Sequence, residues 1–407
     1  MLAQLLLDDD VRLVAVRGGL GAVSGVRLAG VHAGIKPRKR DLALITFDAP
    51  QVCASVVTTN EIKAAPLVVS EEHIATSGSE MRAVVCNSGC ANACTGDRGD
   101  HDARATARQA GALLGVPASS VVIASTGVIG VPLPMDRVQR GLERAIAQLE
   151  SGGKASNDAA EAIMTTDRVP KLSAYSFYVG EKKYLVGGIA KGSGMIAPNM
   201  ATMLAFMATD LPMAAEDLLR ELREATDASF NMISVDGDMS TNDAAYAFAP
   251  VGKNAPPPAF GRALRQVCLD LAQAMVADGE GATKTLTVHV TGAADTPQAR
   301  VIGRAVINSN LVKTALFGED PNWGRIIAAA GSARAGLDPN AWSLVLNGKT
   351  WVQKGAIEAL SEAEAHRELE LTDVIVELQL GLGDARATAW GCDLSKDYVR
   401  INASYRT

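Results

Sequence analysis

"KGSGMIAPNMATMLAFMATD" occupies residues 191–210, and how this stretch is read decides the fold. Glycines, methionines and small residues surround one hydroxyl, Thr202, which follows Ala201 with no His, Asp or Cys beside it. A threonine hydroxyl is a poor nucleophile unless a base takes its proton. One base that needs no neighbouring side chain is the threonine's own α-amine, available when the residue is an N-terminus. A free α-amine has a pKa of about 7.7–8.0, close to the working pH as a general base requires. An internal threonine has no such amine, so the chain would have to cut itself between Ala201 and Thr202. The hydroxyl would attack the Ala201 carbonyl, and water would open the resulting ester. Small neighbours help, because the peptide must bend and backbones must come close. The competing local reading is a buried helix start, with Thr202 capping "MLAFMA" after the Pro198-Asn199 turn. Pattern alone favours that second reading.

The 407 residues exceed what one core usually covers, so two domains are expected. Apolar residues make up 48%, mostly aliphatic and small, with only 4% aromatic, which suits close-packed α/β layers. The formal net charge of -6 gives no footprint for nucleic acid. The basic cluster Lys36, Arg38, Lys39, Arg40 is short, runs into Asp41 and reads as a solvated loop. No apolar run approaches the ~18–20 residues that span a bilayer. The N-terminal "MLAQLLLDDDVRL" lacks a basic leader and a cleavage site, so the cytoplasm is the default compartment. Three of the six cysteines fall in "CNSGCANAC" at C-x3-C-x3-C spacing, which is not the C-x2-C of zinc sites. They read as small buried thiols, and neither a metal nor a disulfide framework is expected.

Several elements follow from periodicity. "SSVVIAS" (119–125) is a buried strand ending at the Thr126-Gly127 turn. "MDRVQRGLERAIAQLE" (135–150) places Val138, Leu142, Ile146 and Leu149 on one helical stripe, with Asp136 as its cap. Helices are also expected at 214–227 and 262–279. "FNMISV" (230–235), "TLTVHVTG" (from 285) and "VIVELQLG" (374–381) read as strands. "SGGKASND" (151–158) and "KNAPPPAFG" (253–261) read as linkers, the second extended because of its prolines. Strand-rich patches cluster, so a layered sandwich fits at least as well as a doubly wound parallel sheet.

Familiar constellations fail. "GGLGAVSG" (18–25) has Ser24 where a dinucleotide fingerprint needs its third glycine, and no P-loop is present. The five histidines are scattered, and His101-Asp102, adjacent in sequence, would point apart on a helix. "VDGDMSTND", with Asp236, Asp238 and Asp243, lacks a calcium loop's glycine and closing Glu at the required offsets and reads as turn chemistry.

"KGSGMIAPNMATML" resembles the cleavage segment of the ornithine acetyltransferase family, the glutamate N-acetyltransferases of the cyclic arginine pathway. "AGIKPRKRDLALI", "NSGCANACTG", "ASTGVIG", "MTTDRVPK", "DGDMSTND", "GEGATK", "LVKTALFGEDPNWGRI" and the terminal "NASYRT" also resemble family motifs, in family order and along essentially the whole chain. The resemblance implies self-cleavage, giving an α chain of residues 1–201 and a β chain that begins at the nucleophile Thr202. It implies an oxyanion hole at Thr126 and Gly127, and substrate contacts at Thr165 (or its neighbour Thr166), Lys191, Glu280, Asn402 and Thr407. The implied fold is an αββα sandwich of the self-cleaving N-terminal-nucleophile type over residues 1–285. A smaller C-terminal α/β domain would follow over 286–407, its tail returning to the active site. The implied reaction moves acetyl from N-acetylornithine to glutamate through an acetyl-Thr202 ester, with no metal or cofactor, in an assembly of at least two α and two β chains. Acetyl-CoA serves some members as a second donor, and the sequence shows no CoA pocket, so that activity stays open. A self-cleaving amidohydrolase or aminopeptidase of the same fold group is the rival. Cys90 and Met239 stand where the family usually has Asn and Thr, which affects local hydrogen bonding only.

Overall fold

A computed structural model describes residues 13–197, 203–355 and 357–404. Ala201, Thr202 and Thr407 lie outside the described residues.

The chain builds two α/β units. In the first, nine strands among the described residues form one hydrogen-bonded sheet, and the 16-residue strand Leu42–Val57 belongs to both of its halves. Its first half pairs with Val26–Val31 and Met81–Cys90, and its second half with Ala244–Pro250. Side chains sort by the period of two that strand geometry imposes. Ala43 and Ile45 pack inward with Phe206, Tyr246 and Phe248, whereas Leu42 and Leu44 face outward. Helices Gly96–Leu114 and Met135–Ile146 cover that outer face through Ala107, Ala110, Val138 and Leu142. On the other half, Leu204, Phe206 and Ala208 point inward. Ala205 and Met207 instead meet helices Ala215–Asp227 and Pro258–Ala277 through Leu218, Leu222, Leu264 and Leu271. The layers therefore run helix, strand, strand, helix: an αββα sandwich.

The strand Leu204–Thr209 replaces the helix start that pattern alone favoured for "MLAFMA". Both of its faces are buried, so its sequence is apolar throughout and shows no alternation. It lies parallel to Ala244–Pro250, with Leu204 opposite Ala244.

The second unit is a mixed sheet of seven strands among the described residues. At its centre Thr285–Ala293 is parallel to Asp373–Gln379 and antiparallel to Ala385–Cys392. Helix Thr296–Asn308 packs Ile302, Val306 and Ile307 onto it. Its edge strand, Ile233–Ser234, comes from inside the first unit and pairs with Trp390 and Gly391.

Four local expectations are corrected. Residues 151–158 are no linker: helix Gly153–Ile163 starts there and buries Ala155, Ala159 and Ala160 in the sandwich interior. Its alanines and polar residues carry too little hydrophobic contrast to signal a helix. The prolines of 253–261 hold the chain extended only to Pro257, and Pro258 opens the helix, where its missing N–H costs nothing. Asp136 sits inside the first turn of its helix, not at the cap, which is Pro134. "FNMISV" is a 3-10 turn over Phe230–Met232 followed by the two-residue edge strand.

Candidate active site

Strand Val121–Val128 runs parallel to Met81–Cys90, and the ladder ends in a bulge at Gly89 and Cys90 beside Thr126 and Gly127. Gly127 has φ 128°, and a Cβ there would lie 2.5 Å from the Gly89 carbonyl carbon, so only glycine fits. The turn is held from beneath. Asn242 Nδ2 donates to the Ala91 and Ser125 carbonyls at 2.8 Å each, and Ser125 Oγ donates to Asn87 Oδ1 at 2.6 Å. Asn87 Nδ2 donates to the Cys90 carbonyl at 2.8 Å. Donors at such a turn are fixed before any charge develops near them.

Lys191 ends strand Lys182–Lys191 with only 3% of its surface exposed, and its Nζ donates to Thr126 Oγ1 at 3.4 Å. A buried ammonium needs compensation, and Asp167 lies close enough to supply it. Burial alone would raise the Asp167 carboxyl. The Lys191 and Lys171 charges, with hydrogen bonds from Lys171 and the Gly192 N–H, instead bring it down to about 2. Lys171 Nζ bridges Asp167 and Asp278 at 2.7 Å each. Asp167 Oδ2 also accepts the Thr165 N–H at 3.0 Å. One ionised carboxylate thus fixes both Thr165 and the backbone just after Lys191.

Glu280 supplies negative charge on the same cavity. Its N–H donates to the Ser193 carbonyl at 2.8 Å, and its Oε2 accepts Asn402 Nδ2 at 2.8 Å. A Cβ on Gly194 would sit 2.4 Å from Glu280 Cδ, so this glycine lets the carboxylate lie against the backbone. Asn402 arrives on the C-terminal helix Lys396–Ser404, which is tethered where Ser395 Oγ donates to the Gly281 carbonyl at 2.6 Å.

The cavity brings together Thr126, Gly127, Thr165, Lys191, Glu280 and Asn402, and Thr166 lines it as well. Ala201, Thr202 and Thr407 lie outside the described residues; Met195, seven residues before Thr202 in the sequence, is on the cavity wall. Sequence reasoning missed Asp236, Asp238, Ser240, Asn242 and Tyr398, which also line it. Tyr398 donates to Asp236 Oδ2 at 3.2 Å, and burial raises its hydroxyl above the usual range, so it stays protonated. For all but Tyr398 the available signal is the polar run "DGDMSTND" set between two apolar strands.

Of the two departures, Cys90 is buried with its Sγ donating to the Val131 carbonyl at 3.1 Å. Met239 Sδ accepts from Thr59 Oγ1 at 3.6 Å, so both positions are satisfied locally.

A positioned donor turn, a buried cation and a facing carboxylate suit binding of a zwitterionic amino acid and stabilisation of a developing oxyanion. The ArgJ family model matches residues 27–407. The arginine biosynthesis bifunctional protein ArgJ of Symbiobacterium thermophilum is 49% identical over 96% of this chain and 99% of its own. The protein of the same name from Geobacter sulfurreducens is 48% identical over 95% and 100%. Among solved structures, the arginine biosynthesis bifunctional protein argJ of Bacillus halodurans is 39% identical, with a TM-score of 0.45, covering 47% of this chain and 100% of that one. Ornithine acetyltransferase of Mycobacterium tuberculosis, complexed with ornithine, is 40% identical with a TM-score of 0.42, covering 46% and 98%.

Proposed function

The chain belongs to the ArgJ family of arginine-biosynthesis enzymes, and on that premise we propose that it is a self-cleaving acetyltransferase carrying acetyl from N-acetylornithine to glutamate. The observation that carries this reading is the convergence of Thr126, Gly127, Lys191 and Glu280 on one cavity whose wall includes Met195, on the segment that leads to Thr202.

Scission between Ala201 and Thr202 frees the Thr202 α-amine. That amine takes the Thr202 hydroxyl proton as the oxygen attacks the acetyl carbonyl of N-acetylornithine. Thr126 and the Gly127 turn stabilise the oxyanion, and loss of one such donor typically costs about 10²–10³ in rate. The C–N bond breaks, the α-nitrogen of ornithine leaves with the proton, and an acetyl-Thr202 ester remains. The amine of glutamate then attacks the ester, restoring the hydroxyl and completing a ping-pong cycle. Lys191 is suited to hold a substrate carboxylate and Glu280 an ammonium, with Thr165, Asn402 and Thr407 as further contacts.

The same proposal divides the chain at 285/286, with Ile233–Ser234 crossing between the two units, and assembles two α with two β chains or more. Use of acetyl-CoA by glutamate is a second activity that an assay with that donor decides. The hydrolase alternative is tested by supplying N-acetylornithine with and without glutamate. Ornithine release that requires glutamate supports transfer, and equal release without it makes water the acceptor.

A further inference from the structure

The run "DGDMSTND" is unexplained by substrate binding alone, because its last aspartate is not on the cavity. Asp243 is 1% exposed and faces the chain just after Thr202. Its Oδ1 accepts the Met203 N–H at 3.0 Å, and its Oδ2 accepts the Ser240 N–H at 3.2 Å. The Met203 carbonyl accepts the Ala244 N–H at 3.1 Å, so Met203 is held at both its amide and its carbonyl.

The other end of the segment is held by the same loop. Asp236 Oδ2 accepts the Met195 N–H at 2.6 Å and Oδ1 the Ile196 N–H at 2.8 Å. The Ile196 carbonyl accepts the Val235, Asp236 and Gly237 N–H groups at 2.9, 3.3 and 3.2 Å. Met195 is bent into the left-handed region at φ 55°, a conformation a non-glycine residue keeps only where surroundings enforce it. The loop itself is anchored to the oxyanion turn through Asn242, and to the strand end at Thr58 through the Thr58 N–H on the Asp243 carbonyl at 2.9 Å.

We propose that Asp236 and Asp243 are positioning residues for self-cleavage, clamping residues 195–196 and 203 so that the bond between Ala201 and Thr202 is presented to the Thr202 hydroxyl. This rests on the acetyltransferase reading above, which requires that cut. In the step served, Thr202 Oγ bonds to the Ala201 carbonyl carbon, the Ala201–Thr202 C–N bond breaks, and the hydroxyl proton ends on the new amine. Water then splits the ester, giving the Ala201 carboxylate and restoring the hydroxyl. The hydrogen bond to the Met203 N–H restrains the backbone at the first described residue after the cut.

The test follows cleavage of newly translated full-length chain on denaturing gels for wild type, Asp243→Asn, Asp243→Ala and Asp236→Ala. A core variant, Phe248→Leu, whose melting temperature is matched to the slowest of these, serves as the control. Asn retains one carbonyl oxygen for Met203, so cleavage should slow by about tenfold in Asp243→Asn and by about 10²-fold in either alanine variant, as misplacement of a reacting group by about 1 Å does. The matched Phe248→Leu should cut at the wild-type rate, and this ranking supports the clamp. Aspartate variants that cut as fast as wild type overturn it, as does a Phe248→Leu control slowed to the same degree, since loss of stability would then suffice. Wild-type chain that never cuts overturns the acetyltransferase reading itself and so marks that failure apart.

Discussion

Gly127 and Asp167 are the residues on which the site's electrostatics turn. Gly127→Ala forces a Cβ against the Gly89 backbone and displaces the donor turn. Turnover should fall by about 10²-fold or more, measured as kcat of the cleaved enzyme with N-acetylornithine and glutamate. The folded-state pKa of Asp167, about 2, lies below its ordinary 3.8. Its ionised form therefore contributes stability that is complete above about pH 4 and is lost as the pH falls through about 2, an amount on the order of 2 kcal/mol. Asp167→Asn should remove that contribution at neutral pH and flatten this part of the acid limb, read by denaturant unfolding between pH 2 and 5. Thr126, Gly127, Thr165, Lys191, Glu280 and Asn402 could be named from sequence only through resemblance, because nothing local makes them chemical. Asp236 and Asp243 read in the sequence only as turn residues, and Asp167 and Asn242 carry no role there beyond lying in the motifs. Each acts on backbone groups far along the chain, such as Asn242 on Ala91 and Ser125, and a single sequence does not display such pairings.

At the scale of elements, amphipathic helices such as 135–146 and 262–277 were legible because one face is apolar and the other charged. Gly153–Ile163 was not, because it packs through alanines and needs little apolar surface to come close to the strands. That closeness makes it intolerant of volume: Ala159→Leu should cost about 1–3 kcal/mol by overpacking, seen as a lower melting temperature with the far-UV spectrum retained. Leu204–Thr209 escaped the strand pattern for the opposite reason, both of its faces being buried. The C-terminal helix Lys396–Ser404 has no buried residue, yet it carries Asn402 to Glu280 and Tyr398 to Asp236. Deleting residues 396–407 should therefore damage turnover far more than stability. Asn402→Ala should raise KM by about tenfold, the worth of about one hydrogen bond to a charged group, with the melting temperature little changed.

Across the whole molecule, composition and length suggested two α/β units, and family motifs supplied the sandwich that periodicity left open. The crossing of Ile233–Ser234 into the second sheet had no sequence signal, since two residues form no periodic pattern. It places the loop 235–243 between the two units, against both the turn at Thr126 and Gly127 and the backbone of Met195 and Ile196. Among the described residues no helix is long and apolar enough to cross a membrane. The account as a whole depends on the backbone being cut where this architecture gathers its donors, and the intact mass of the purified protein tests that most directly. Two polypeptides corresponding to residues 1–201 and 202–407 are predicted, with Thr202→Ala left whole and inactive. A single 42.4 kDa chain that still transfers acetyl between amino acids would contradict it.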